Sequence, residues 1–131
     1  IMYSPGLLYE PNSPRGDNGI LYLNNKIAID IPILFEISAY DGDNQPIKYI
    51  IQPGEKIVAT LKESPNSIQT IYQFEYTDIR NNVITFSLSE AQVSILRPGI
   101  TYSLWFTLYN KNGEPFLPLI KNLPVYIEVC E

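Results

Sequence analysis

From Ile27 the chain alternates with period two. Ile27, Ile29, Ile31, Ile33, Phe35 and Ile37 interleave with Ala28, Asp30, Pro32, Leu34, Glu36 and Ser38. Successive side chains of a strand point to opposite faces, so this run predicts one long, half-buried strand. Pro32 cannot donate to a ladder, which predicts an edge or a bulge near its middle, where the strand switches sheets. Shorter strands follow over residues 47–51, 56–62 (Ile57, Ala59 and Leu61 on one face), 71–77 (Tyr72, Phe74 and Tyr76 inward) and 83–88 (Ile84, Phe86 and Leu88 inward). The turns between them carry residues that accept or preset unusual backbone angles: Asp41-Gly42-Asp43-Asn44-Gln45-Pro46, Pro53-Gly54, and Asn81-Asn82, which suits a tight hairpin.

At Ser89 the pattern changes. Ser89 with Gln92 three residues later has the form of a capping box, which predicts one or two helical turns through Leu96, near 89–96. Pro98-Gly99 ends them. Residues 100–109 then read as a strand with Ile100, Tyr102, Leu104, Phe106 and Leu108 on the core face and Thr101, Ser103, Trp105, Thr107 and Tyr109 on the other. Asn110-Lys111-Asn112-Gly113 predicts a hairpin. The last strand spans residues 116–129, interrupted by Pro118 and Pro124, with Val125, Ile127 and Val129 facing in. About seven or eight antiparallel strands at this spacing predict an all-β sandwich or barrel.

The first nineteen residues lack this periodicity and hold Pro5, Gly6, Pro11, Pro14, Gly16 and Gly19. They read as an extended N-terminal arm, 1–19, anchored on something through Leu7, Leu8 and Tyr9, ahead of a sandwich over 20–131. An arm that long in a compact domain points to packing on a neighbouring subunit. Opening at Ile1, with no signal-peptide pattern, the chain reads as a fragment or a processed form.

Composition narrows the chemistry. The 131 residues fit one domain, with room for a core that needs no disulfide or metal. Charged residues make up 18%, below the usual quarter or so, and the balance is neutral polar, as on surfaces that pack against other proteins. A net charge of −5 with scattered Lys and Arg argues against nucleic acid and against an anionic membrane surface. No apolar run is long enough to span a bilayer. The absence of histidine removes Ser-His and Cys-His nucleophile pairs and the usual transition-metal sites. Cys130, the sole cysteine, can form no internal bridge and reads as incidental. The expectation is a protein that is not an enzyme and holds no cofactor or metal.

Several short features have plainer readings. Arg15-Gly16-Asp17 spells an integrin-binding tripeptide, but three turn residues meet by chance. Asp41, Asp43 and Asn44 resemble the start of a calcium loop yet lack the Gly and the distant Glu that complete one. Trp105 and Tyr109 on the non-core face could form a sugar platform, a protein interface, or a surface covered by the N-terminal arm. No acidic pair suggests glycoside hydrolysis.

Leu96-Arg97-Pro98-Gly99-Ile100-Thr101-Tyr102 has the form L-x-P-G-x-x-Y. Such spacing predicts a tyrosine corner, the ring filling the core edge and the hydroxyl capping a backbone group of the preceding crossover. Ser89, Leu96, Pro98, Gly99 and Tyr102 therefore define the fold. With Phe86-Ser87-Leu88-Ser89 and Asn112-Gly113, this stretch resembles the C-terminal half of the immunoglobulin-like domains of phage tail and baseplate proteins, of the type at the N-terminus of baseplate upper proteins. Ile31 to Ile37 and Tyr40 to Ile47 match the first half more loosely. Fibronectin type III domains share the corner but carry a Trp on an early strand, whereas Trp105 comes late. The resemblance implies an immunoglobulin-like antiparallel sandwich that attaches a fibre or receptor-binding protein to a virion. Its partners would be other virion structural subunits, in a homo- or hetero-oligomer. The alternative is a carbohydrate- or receptor-binding module, extracellular or at a cell surface.

Overall fold

A computed structural model of the chain describes residues 3–9, 19–40 and 42–129; for residues 3–9 and 40 only the backbone path is described. Nine strands and one short helix occur among these residues: β1 Tyr3–Tyr9, β2 Leu21–Asn24, β3 Ile29–Tyr40, β4 Pro46–Lys48, β5 Lys56–Lys62, β6 Thr70–Tyr76, β7 Val83–Leu88, α1 Glu90–Ser94, β8 Thr101–Tyr109 and β9 Pro115–Glu128. They form two sheets. In one, β3 pairs with β1 along one edge and, along the other, with β7 at its start and β4 at its end. The second runs β2-β9-β8-β5-β6, antiparallel except that β2 lies parallel to β9.

The period-two run supplies one wall of the core. Ile29, Ile31, Ile33, Phe35 and Ile37 are buried, as are Ile84, Phe86 and Leu88 of β7. Opposite them stand Ile57, Ala59 and Leu61 of β5 and Leu104, Phe106 and Leu108 of β8. Phe106 joins the two sheets, its ring 5.5 Å from Phe35 and 6.0 Å from Phe86. Phe86 in turn meets Phe74 of β6 at 6.2 Å, in the edge-to-face geometry that aromatic quadrupoles favour.

Five expectations need correction. The segment taken as an arm contributes β1, in register with β3 from Tyr3↔Ala39 to Tyr9↔Ile33, so this part is a strand of the same sheet. Ile27 does not begin the long strand: it is 61% exposed in the turn after β2, a strand too short to show periodicity. Pro32 makes no bulge and no switch between sheets, but among the described residues it does lie at an open edge of β3, where the pairing with β1 stops at Ile33. The Phe35 N–H donates to Asn82 O on the β7 side, so in a regular strand the even-numbered nitrogens face the β1 side. Pro32 thus points its missing donor just past the last described pair, Tyr9↔Ile33, while its other side pairs with Thr85 of β7. Asn81 (φ 53°) and Asn82 (φ 60°) do form a left-handed turn, closed by the Val83 N–H to Arg80 O bond. Yet β6 and β7, which flank it, lie in different sheets and make no hairpin. Val129 lies beyond β9 and is 65% exposed rather than inward.

The segment from Ser89 folds as its residues predict. Ser89 accepts the Gln92 N–H at 3.1 Å, and Gln92 Oε1 accepts the Ser89 N–H at 2.8 Å, completing the capping box of α1. Val93 and Leu96 are buried beneath it. Tyr72 ties β6 to the helix by donating its hydroxyl to Gln92 O at 2.9 Å; burial raises this phenol's pKa. Tyr102 accepts the Arg97 N–H at 2.9 Å, which is the predicted corner. Gly99, at φ +83°, lets the chain reverse so that its N–H reaches Ile127 O of β9.

Candidate functional site

Strand β8 lies between β5 and β9, and its outward side chains form the middle of the outer face of the five-stranded sheet. Trp105 stands opposite Thr60 and Tyr109 opposite Lys56. Lysines lie over both rings. Lys62 Nζ is 5.1 Å from the Trp105 ring and Lys56 Nζ is 5.5 Å from that of Tyr109, within cation–π range. Lys56 also pairs with Glu75 Oε1 at 2.5 Å, linking β5 to β6.

The indole is fixed from below. Trp105 Nε1 donates to Ser103 Oγ at 2.7 Å, and Ser103 donates to Asn122 Oδ1 at 2.6 Å. This relay depends on an irregularity in β9. Leu104 pairs with Leu123 but Phe106 with Ile120, so Lys121 and Asn122 together oppose Trp105. Such a bulge re-aims one side chain, and Asn122 takes the left-handed conformation it needs (φ 55°). Ser103, expected on the open face, is buried as a result. Further along the same face Tyr22 of β2 meets Tyr126 of β9 edge-on at 5.9 Å.

These contacts limit what the face can bind. A sugar stacking on Trp105 must displace the Lys62 ammonium, and the indole N–H is already engaged. The aromatic platform therefore suits a partner that brings its own acidic or carbonyl groups to the lysines better than it suits a neutral sugar. The backbone of Leu7, Leu8 and Tyr9 lies in the other sheet: Leu7 pairs with Phe35, Leu8 with Leu34 and Tyr9 with Ile33. The expected grouping of Leu7, Leu8 and Tyr9 with Trp105 and Tyr109 is thus split between two sheets.

Other candidates resolve differently. Glu55 is a buried carboxylate, but it accepts the Tyr49 hydroxyl at 2.8 Å and the Gln52 N–H at 2.7 Å, which closes its own turn. The Asp43-Asn44 turn uses Asn44 at φ 62°, and among the described residues no three acidic, His or Cys groups converge on a point. Arg15-Gly16-Asp17, Asp41 and Cys130 lie outside the described residues. No described helix is long and apolar enough to cross a membrane. Elsewhere on the surface Ile27, Ile68 and Ile95 are 61%, 97% and 60% exposed. The Lys62–Trp105 and Lys56–Tyr109 contacts were not foreseen, although Lys56 and Lys62 share the outward parity of β5. The bulge at Asn122 has no clear sequence signal, because Asn is common in ordinary turns.

Compared with known proteins, the chain matches no family model, no curated protein and no solved structure.

Proposed function

We propose that the chain is a non-catalytic attachment module of a bacteriophage virion, in a tail, baseplate or fibre-anchoring protein, built as an immunoglobulin-like sandwich. Four features support the fold. The first strand is split, β1 pairing with β3 and β2 running parallel to β9; β5 and β6 extend the sheet of β8 and β9; the crossover from β7 to β8 passes through α1; and Tyr102 closes a corner at the start of β8.

The outer face of β8 carries the contact reading. Tryptophan and tyrosine are the residues that most often anchor protein interfaces, and here the Trp105 ring is oriented by its bond to Ser103 while a lysine lies over each ring. Pre-ordered side chains lose less entropy on binding. The virion assignment rests on the resemblance carried by Leu96, Pro98-Gly99, Tyr102 and Asn112-Gly113. Antibody raised against the chain should label intact particles in electron micrographs, and particles assembled with Trp105→Ala and Tyr109→Ala should lose the label. Unlabelled particles together with selective glycan capture would replace this reading with the carbohydrate-binding one.

A further inference from the structure

We propose that the Trp105 face takes a carboxylate from an acidic segment of a partner protein, held at Lys62. The inference rests on the reading of the β8 face as a contact surface, and not on the virion assignment.

The chain itself builds the full arrangement once. Tyr109 of β8, Lys56 of β5 and Glu75 of β6 lie across three neighbouring strands. The Lys56 ammonium stands 5.5 Å from the Tyr109 ring and pairs with Glu75 at 2.5 Å. At the other end of β5 the pattern repeats as far as the lysine, with Lys62 lying 5.1 Å over the Trp105 ring. Its neighbours on β6 are neutral: Thr70 stands opposite Lys62, and Gln73 opposite Thr60. Glu63, next in sequence, is engaged by Arg97 at 3.3 Å. Among the described residues no carboxylate pairs with Lys62. The first arrangement carries its own acid and the second does not.

Charge selects the occupant. The chain carries −5 overall, yet neither β5 nor β8 contains Asp or Glu. Glu75, the sole carboxylate of β6, is committed to Lys56. Lys121, exposed in the bulge opposite Trp105, adds positive charge on the neighbouring strand. The surroundings of the indole are therefore cationic on an acidic molecule, and complementary potential favours an anionic partner. A protein side chain supplies the carboxylate better than a uronic acid does. A sugar stacking on the indole must displace Lys62, and the indole N–H is already given to Ser103. A glutamate or aspartate needs only the ammonium, so the cation keeps its place over the ring, as Lys56 does between Tyr109 and Glu75.

Calorimetric titration of the full chain with a hexaglutamate peptide at low salt tests this, with a hyaluronan oligosaccharide of equal charge as the sugar-borne carboxylate. Saturable binding of the peptide is expected, in preference to the oligosaccharide. Lys62→Gln should weaken it about fivefold, the upper range for an exposed ion pair. Lys62→Arg should retain the affinity, and Lys48→Gln, which removes the same charge from the other sheet, should leave it unchanged. Absence of peptide binding, equal losses in Lys62→Gln and Lys48→Gln, or preference for the oligosaccharide would each overturn the proposal. Binding lost in Trp105→Ala but kept in Lys62→Gln would preserve the contact face and overturn the role of Lys62. Particles that escape antibody labelling would defeat the virion assignment alone.

Discussion

Asn82 donates its side-chain amide to the carbonyl of Phe35 at 3.1 Å, joining a left-handed turn to the middle of the central strand. The same amide donates to Tyr49 O at 2.8 Å, and its Oδ1 accepts the Ile51 N–H at 2.9 Å. One buried side chain thus fills the gap along β3 between the end of the β7 pairing and the start of the β4 pairing. Asn82→Ala should cost about 3 kcal/mol, because it leaves three backbone groups without their partner and puts at positive φ a residue that tolerates it less well than asparagine. Asn82→Gly should cost less, since it relieves the conformational part alone. Urea unfolding of both variants checks the order; equal losses would show that the positive-φ cost contributes little and that the lost amide bonds account for the change.

Tyr102 holds the crossover by accepting the Arg97 N–H. Tyr102→Phe keeps the ring in the core and removes only that acceptor. A loss of about 1–2 kcal/mol is expected, read as a lower unfolding midpoint with unchanged slope.

Tyr76 should make stability depend on alkaline pH. Burial pushes its phenol from 10.0 up to about 12. Below pH 10 the residue is neutral in both the folded and the unfolded chain, and its stabilisation is intact. Between pH 10 and 12 the unfolded chain loses this proton while the folded one keeps it, so stability falls across that window. Tyr76→Phe should flatten this part of the profile, measured by denaturant titration at stepped pH.

Trp105 is the only tryptophan, so its fluorescence reports the β8 face directly. Lys62→Ala should uncover the ring, shift emission to the red and cost about 0.5–1 kcal/mol. Ser103→Ala should loosen the indole by removing the acceptor of its N–H, seen as lower anisotropy. Unchanged spectra in both variants would mean that neither contact persists in solution.

Much of the fold was legible because its inner residues alternate strictly. The limits of β5 and β7 and the burial of Ile29 to Ile37 follow from period two, and Ser89, Pro98-Gly99 and Tyr102 declare the crossover through local chemistry. What escaped was long-range. No residue of β2 announces parallel pairing with β9, and Asn81-Asn82 carries the same turn signal whether the strands around it pair or part. Pro32 reads as an edge or a bulge and only the edge is found among the described residues, because a missing donor disrupts a sheet only on the side it faces, and sidedness comes from the neighbours. At the candidate site, Trp105 and Tyr109 were readable from parity. Their lysine cover and the Ser103–Asn122 relay were not, since they depend on cross-strand register and on a bulge.

The parallel register of β2 and β9, from Leu21↔Val125 to Asn24↔Glu128, has a mechanical consequence. Force applied at Leu21 and Glu128 pulls along the two strands in opposite directions from opposite ends of the pair. The bonds between them are then loaded in shear and must fail together, whereas the β8–β9 hairpin can open one bond at a time. The far side of β9 is held too, by Gly99 N–H to Ile127 O and Ile127 N–H to Ile100 O. A short strand of four residues can in this way act as a latch under tension.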